Sequence, residues 1–126
     1  MPDARLPLPD DPRANTIRHR VYYAETDRMG WVYYGNYPAW FERGRTELLR
    51  EIGLPYRSVE EGGLFLPVRS CEIRYHRPAR YDDLVTFVTV MTRVRTASVA
   101  FLTVIYNEAN ELLAEGRVVL ACVNAD

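Results

Sequence analysis

Lysine and glutamine are absent from this 126-residue chain, and all 16 basic residues are arginine. Set against 17 acidic residues they leave a net charge of −1, which excludes a general attraction to nucleic acid or to anionic lipid. A polyanionic partner has to be met by a local arginine cluster. Cysteine is scarce: Cys71 and Cys122 lie far apart, with no CxxC spacing and no neighbouring histidine pair. A zinc site and a secreted disulfide framework are therefore unsupported, and two buried, reduced thiols are expected. No long apolar run is present, which leaves out a membrane-spanning helix and a signal-peptide core, so a cytoplasmic protein is expected. GxSxG, P-loop, GxGxxG and HExxH patterns are all missing, and two scattered histidines do not make a metal site. Neither a metal nor a bound cofactor is expected.

What is present is ample material for one core: 48% of residues are hydrophobic and 12% aromatic, enough for a single domain of this length. Residues 1–15 carry four prolines and no periodicity, and are expected to form an extended or mobile tail before a single domain at 16–126. Residues 17–24 alternate as a strand does, with His19 on the apolar side as a satisfied, partly buried histidine. A helix follows the ETDRMG loop, with Asn36 as its N-cap, Pro38 in its first turn and a stop at Gly53 and Pro55. Tyr37, Trp40, Phe41, Leu48 and Ile52 form its apolar stripe. Gly44 in its middle gives up about 1 kcal/mol of helix propensity, which close approach of another backbone would explain. Four further strands are expected at 64–75, 84–94, 98–106 and 112–123, with Pro67 marking an edge or a bulge. Strand, helix and four consecutive strands make an α+β fold, an antiparallel sheet curled around one long helix. Several strands are apolar on both faces, so a second subunit is expected to cover the outer side.

With most catalytic patterns missing, carboxylate chemistry remains. Glu25 and Asp27 lie just before a glycine turn and a run of bulky apolar residues. A carboxylate against such a surface is partly desolvated and a better proton acceptor. Unpaired N–H groups at the helix start can polarise a carbonyl oxygen. The residues alone also fit a plainer reading, in which Asp27 caps a turn and the aromatics are core.

The segment RVYYAETDRMGWVYYGNYPAWFERGRTELLR resembles the signature of the hotdog-fold acyl-CoA thioesterases of the 4-hydroxybenzoyl-CoA thioesterase and YbgC type. T-D-x-x-G-x-V-Y-x-x-N-Y is its specific core. The likeness extends through YHRPARYDDLVTF (75–87), RVRTASVAF (93–101) and ELLAEGRVVLACV (111–123). It implies a hotdog fold of about five strands wrapped around one central helix, and a homodimer or homotetramer with sites at the dimer interface. It also implies hydrolysis of an acyl-CoA thioester, with coenzyme A as part of the substrate. By position, the resemblance makes Asp27 the nucleophile or general base and the backbone amide of Tyr34 the oxyanion contact. Tyr23 becomes an assisting residue. Gly35, Asn36 and Glu42 fall beside the substrate, and Arg93 and Arg95 beside the CoA phosphates. Arg77 and Arg80 are weaker phosphate candidates. Two departures stand out: many YbgC-type sequences carry His where this chain has Tyr34, and Asp where it has Glu25, which is expected to be structural. The alternatives are an acyl-carrier-protein thioesterase and a non-catalytic hotdog module that binds acyl-CoA or only dimerises.

Overall fold

Alternation of branched and aromatic residues builds the sheet, and its two phases decide the two faces. A computed structural model describes residues 6–124. Strand β1 (Asn15–Arg20) is followed by helix α1 (Tyr37–Glu51) and the short helix α2 (Tyr56–Glu61). Strands β2 (Leu64–Phe65), β3 (Val68–Tyr75), β4 (Leu84–Val94), β5 (Ser98–Tyr106), β6 (Leu112–Ala121) and β7 (Val123–Asn124) complete the chain. The five long strands form one antiparallel sheet in the order β1-β4-β5-β6-β3, and β2 pairs with β7 beside it. Val85, Phe87, Phe101, Ile105 and Val118 turn toward α1 and enclose Trp40, Phe41, Leu48 and Leu49. This is the sheet wrapped around one helix that the sequence predicts.

Helix α1 buries Tyr37, Trp40, Phe41, Gly44, Leu48 and Leu49, whereas Ile52, expected in the stripe, is 52% exposed beyond the helix end. Gly44 rests on a side-chain pair, not on another backbone. Thr89 and Thr103, both buried, share a hydroxyl hydrogen bond of 3.0 Å beneath it. A methyl group at position 44 would collide with Thr89 Oγ1. Overpacking costs about 1–3 kcal/mol, against about 1 kcal/mol of helix propensity gained. Gly44→Ala is therefore expected to lower the urea midpoint at unchanged m-value.

Three further expectations are corrected. The strand read at 17–24 ends at Arg20, because Tyr23–Glu25 closes a 3₁₀ turn. The segment 64–75 is split at Pro67, which cannot donate to a ladder; β2 leaves the main sheet and β3 has a register shift between Val68 and Ser70. Both cysteines are free; Cys71 is exposed because β3 is a sheet edge with little packed over it, and Cys122, just past β6, is half-buried.

The outer face of the sheet presents Val88, Val90, Leu102, Val104 and Tyr106. A second subunit was the expected cover, yet part of the cover comes from the chain itself. Leu6 and Pro7 are buried there. The Tyr106 hydroxyl donates to the Pro7 carbonyl at 2.8 Å and Thr16 Oγ1 to that of Pro9 at 3.2 Å. Residues 1–5 of the expected tail lie outside the described residues.

Candidate active site

Between β1 and α1 the chain folds into a small hairpin that holds Asp27. Thr26 bridges Val32, the Asp27 N–H donates to the Trp31 carbonyl at 2.8 Å, and the Gly30 N–H donates to the Asp27 carbonyl at 3.0 Å. Gly30 has φ +79°, a left-handed conformation that a side chain would strain. Asp27 Oδ1 accepts from the backbone N–H of Met29 (2.9 Å) and of Trp31 (3.2 Å). Among the described residues, Oδ2 has no hydrogen-bond partner. Asp27 thus caps its turn with one oxygen and keeps the other free, so the two readings of this residue are compatible.

The hairpin is tied down on its far side. The Val32 N–H donates to the Ala79 carbonyl at 2.7 Å, and Trp31 bridges Arg80. This brings the connection after β3 alongside Asp27. A cavity of about 290 Å³ opens between them, lined by Asp27, Met29, Trp31, Tyr34 and Tyr37 together with Tyr75, His76 and Arg77. Its walls are mostly aromatic. Burial, with the Tyr75 phenol nearby, pushes the Tyr37 hydroxyl up to about 12, so it stays a neutral donor at physiological pH.

Tyr34 opens a 3₁₀ turn, Tyr34–Asn36, that runs straight into α1. Among the described residues no carbonyl accepts from its N–H; the Trp31 carbonyl, three residues back, is taken by Asp27. Asp27 and Tyr34 both line this cavity. Asn36, expected as a side-chain N-cap, is helical at φ −81°, ψ −20° and makes no cap bond. Its Nδ2 donates instead to the Glu25 carbonyl at 2.8 Å.

The remaining predicted residues scatter. Tyr23 lies edge-to-face on Tyr81 and is 76% exposed, outside the cavity. Glu42 is exposed on α1 and also outside it. Gly35 packs under the Tyr33 ring, where a Cβ would clash. Arg77 reaches the cavity and pairs with Glu111 at 3.3 Å, while Arg80, bridged to Trp31 through its backbone, does not line the cavity.

Arg93 and Arg95 line a second, larger groove of about 600 Å³, and there they meet Arg69 of β3 and Arg117 of β6. Sequence reasoning missed the last two. Nothing local marks them, because only the β3–β6–β5 pairing brings them to the hairpin. It also missed the buried Glu115, whose Oε2 lies 3.0 Å from His76 Nε2 at the cavity and whose Oε1 lies 3.5 Å from Arg117.

A five-stranded antiparallel sheet curled around one long helix is the architecture of a hotdog thioesterase. The profile of the thioesterase-like superfamily matches residues 21–126. The acyl-CoA thioester hydrolase YbgC of Escherichia coli O6:H1 is 38% identical over 105 residues, covering 83% of this chain and 78% of that protein. The putative acyl-CoA thioesterase YneP of Bacillus subtilis is 35% identical over 106 residues, covering 84% and 77%. The structure of a DHNA-CoA thioesterase from Staphylococcus aureus superposes with a TM-score of 0.85 at 30% identity, covering 90% of this chain and 76% of that one. The chain belongs to the thioesterase-like superfamily, and it is an enzyme of the thioester-hydrolase kind.

Proposed function

We propose that this protein hydrolyses acyl-CoA thioesters, with Asp27 and the Tyr34 amide as its reactive pair. One observation carries the reading: one cavity is lined both by Asp27, held by two turn amides through one oxygen, and by Tyr34, whose N–H has no backbone acceptor among the described residues. The names of the curated relatives, acyl-CoA thioester hydrolase and acyl-CoA thioesterase, support the same substrate class.

The acyl group occupies the aromatic cavity, with its carbonyl oxygen on the Tyr34 N–H, which strengthens as negative charge gathers there. Asp27 either attacks the carbonyl carbon or takes a proton from the water that does. The carbon–sulfur bond breaks, CoA leaves as the thiolate and is protonated, and water supplies the hydroxyl of the free acid. Gly35 and Asn36 hold the amide in place at the helix start. Tyr23 and Glu42 carry no role in this reading, and the reaction as written uses no metal or cofactor. Among the described residues no helix is long and apolar enough to cross a membrane; the cytoplasm is the proposed location.

Arg93, Arg95, Arg69 and Arg117 form the proposed phosphate groove. Arg69 stands near the start of β3, whereas the cavity lies at its far end, and an eight-residue strand spans about 26 Å. A homodimer made by pairing two β3 edges antiparallel would set the arginine end of one strand beside the cavity end of the other. The exposure of β3, including Val68 and Tyr75 at 54% and 50%, supports that edge as the contact. The dimer is thus proposed to complete the site.

The test is a hydrolysis profile across aromatic, short and long acyl-CoAs, with an acyl-carrier-protein thioester in parallel. Turnover of at least one acyl-CoA at lower KM than the carrier-protein substrate is expected. Binding of a non-hydrolysable CoA thioether with no turnover of any thioester would overturn the enzymatic reading in favour of a binding module. Arg93→Ala with Arg95→Ala is expected to raise KM about tenfold, in line with the loss of charge-assisted bonds of about 1.5–3 kcal/mol partly screened by solvent. The same double variant should leave KM unchanged for an acyl-pantetheine, which lacks the nucleotide.

A further inference from the structure

We propose that Glu25 is the positioning residue of this site: it sets the Tyr34 amide relative to Asp27 by clamping both ends of the loop that carries them. The inference rests on the acyl-CoA hydrolase reading above and goes beyond it by giving a role to the acid that does no chemistry.

Glu25 accepts five hydrogen bonds. Oε1 accepts from the Tyr22 N–H at 2.7 Å and from His19 Nε2 at 2.8 Å, and Oε2 accepts from Trp40 Nε1 at 2.8 Å. Its carbonyl oxygen accepts from the Tyr33 N–H and from Asn36 Nδ2, each at 2.8 Å. Through these bonds it holds strand β1, the entry to the catalytic loop, the residue before Tyr34, the residue two beyond it, and helix α1. Asp27 lies two positions further along the same backbone. A shift of Glu25 therefore moves the Asp27 carboxylate and the Tyr34 amide against each other.

The chemistry of the donors requires a carboxylate here. Arg43 approaches His19 Nδ1 at 3.0 Å, and a guanidinium can only donate, so Nδ1 accepts and the ring proton sits on Nε2. An indole N–H and a backbone N–H are likewise donors only. All three partners point protons at Glu25, and only an ionised carboxylate meets them all as acceptor. The His19 ring has no room to turn away, being packed against Tyr22, Trp40 and Phe87 at centroid distances of 5.4, 5.2 and 5.5 Å. Burial raises the Glu25 carboxyl, but the bonds from Tyr22, His19 and Trp40 outweigh it and hold the group below its usual range. A glutamine would turn its NH₂ toward one of these donors and break the clamp on that side.

The experiment compares Glu25→Gln, Glu25→Asp and Trp40→Phe with wild type, each assayed for kcat and KM on one acyl-CoA at a temperature where circular dichroism shows it folded. Glu25→Gln is expected to lose kcat by about 10–10²-fold, the scale of a sub-ångström to 1 Å misplacement, with KM within about threefold. Glu25→Asp, which keeps the acceptors on a shorter arm, is expected to recover part of kcat. Trp40→Phe removes one donor and should lower kcat several-fold; it decides the question on its own if Glu25→Gln does not fold. A Glu25→Gln enzyme of lowered melting temperature but near wild-type kcat would make Glu25 merely structural and overturn the proposal. Equal losses expressed in KM would do the same. Absence of wild-type turnover sinks the hydrolase reading and this proposal with it, whereas wild-type turnover with an unaffected Glu25→Gln sinks this proposal alone.

Discussion

Asp27→Asn is expected to lower acyl-CoA turnover by about 10²–10⁴-fold, the usual contribution of a positioned base, in a protein that folds as the wild type does. The structure separates the two effects. The turn at 27–30 uses the Asp27 backbone and Oδ1, which accepts from Met29 and Trp31, and an asparagine oxygen accepts these bonds equally well. Asparagine is also tolerant of such turns. What it cannot supply is the second, anionic oxygen that faces attack or water activation. Melting temperature and KM should hold while kcat falls in steady-state hydrolysis of the best acyl-CoA. A kcat within about threefold of wild type would remove Asp27 from the chemistry, and the Tyr34 amide would be left without a partner.

Phe41→Ala is expected to have the largest effect on stability, about 3–5 kcal/mol. Phe41 is 1% exposed in the second turn of α1, and its ring lies against Gly116 of β6, where any Cβ would strike it. The helix can sit that close to the sheet because the glycine leaves a hollow and the ring fills it. Truncating the ring leaves a hollow bordered by backbone on one side, which cannot collapse to fill itself. For a domain of this size the melting temperature should fall by roughly 10–20 °C. Urea titration would show a lower midpoint at unchanged slope. A loss under 1 kcal/mol would mean that α1 and β6 close the gap by sliding, and that the fit of Phe41 to Gly116 does not hold the helix in register.

Strands β4 and β5 were legible to the residue at 84–94 and 98–106, because a dense run of Val, Thr, Phe and Ile bounded by polar turns is a local property. The helix was legible from a local pattern too, from Tyr37 to Leu48, with Pro38 at its start. Legibility failed where a local rule met a competing partner. Asn36 is a good cap by type, but the Glu25 carbonyl claims its side chain. Pro67 marks an edge or a bulge, but nothing nearby says that β2 leaves the sheet to pair with β7. The proline-rich start looked like a free tail, yet Leu6 and Pro7 find an apolar sheet face that no local pattern announces.

The site divides the same way. By itself the sequence determined the T-D-x-x-G turn and the helix that starts after Asn36, because the whole unit lies in one short run of chain. Tertiary structure alone decided the other cavity wall, Tyr75 to Arg77, which reaches Asp27 through the Val32–Ala79 bond. It alone gathered Arg69 and Arg117 beside Arg93 and Arg95, and set buried Glu115 between His76 and Arg117. The physical reason is strand register. A turn is specified by the residues within it, whereas neighbours across a sheet are specified by the hydrogen-bond ladder of several strands, and a shift of one residue would turn those side chains to the opposite face.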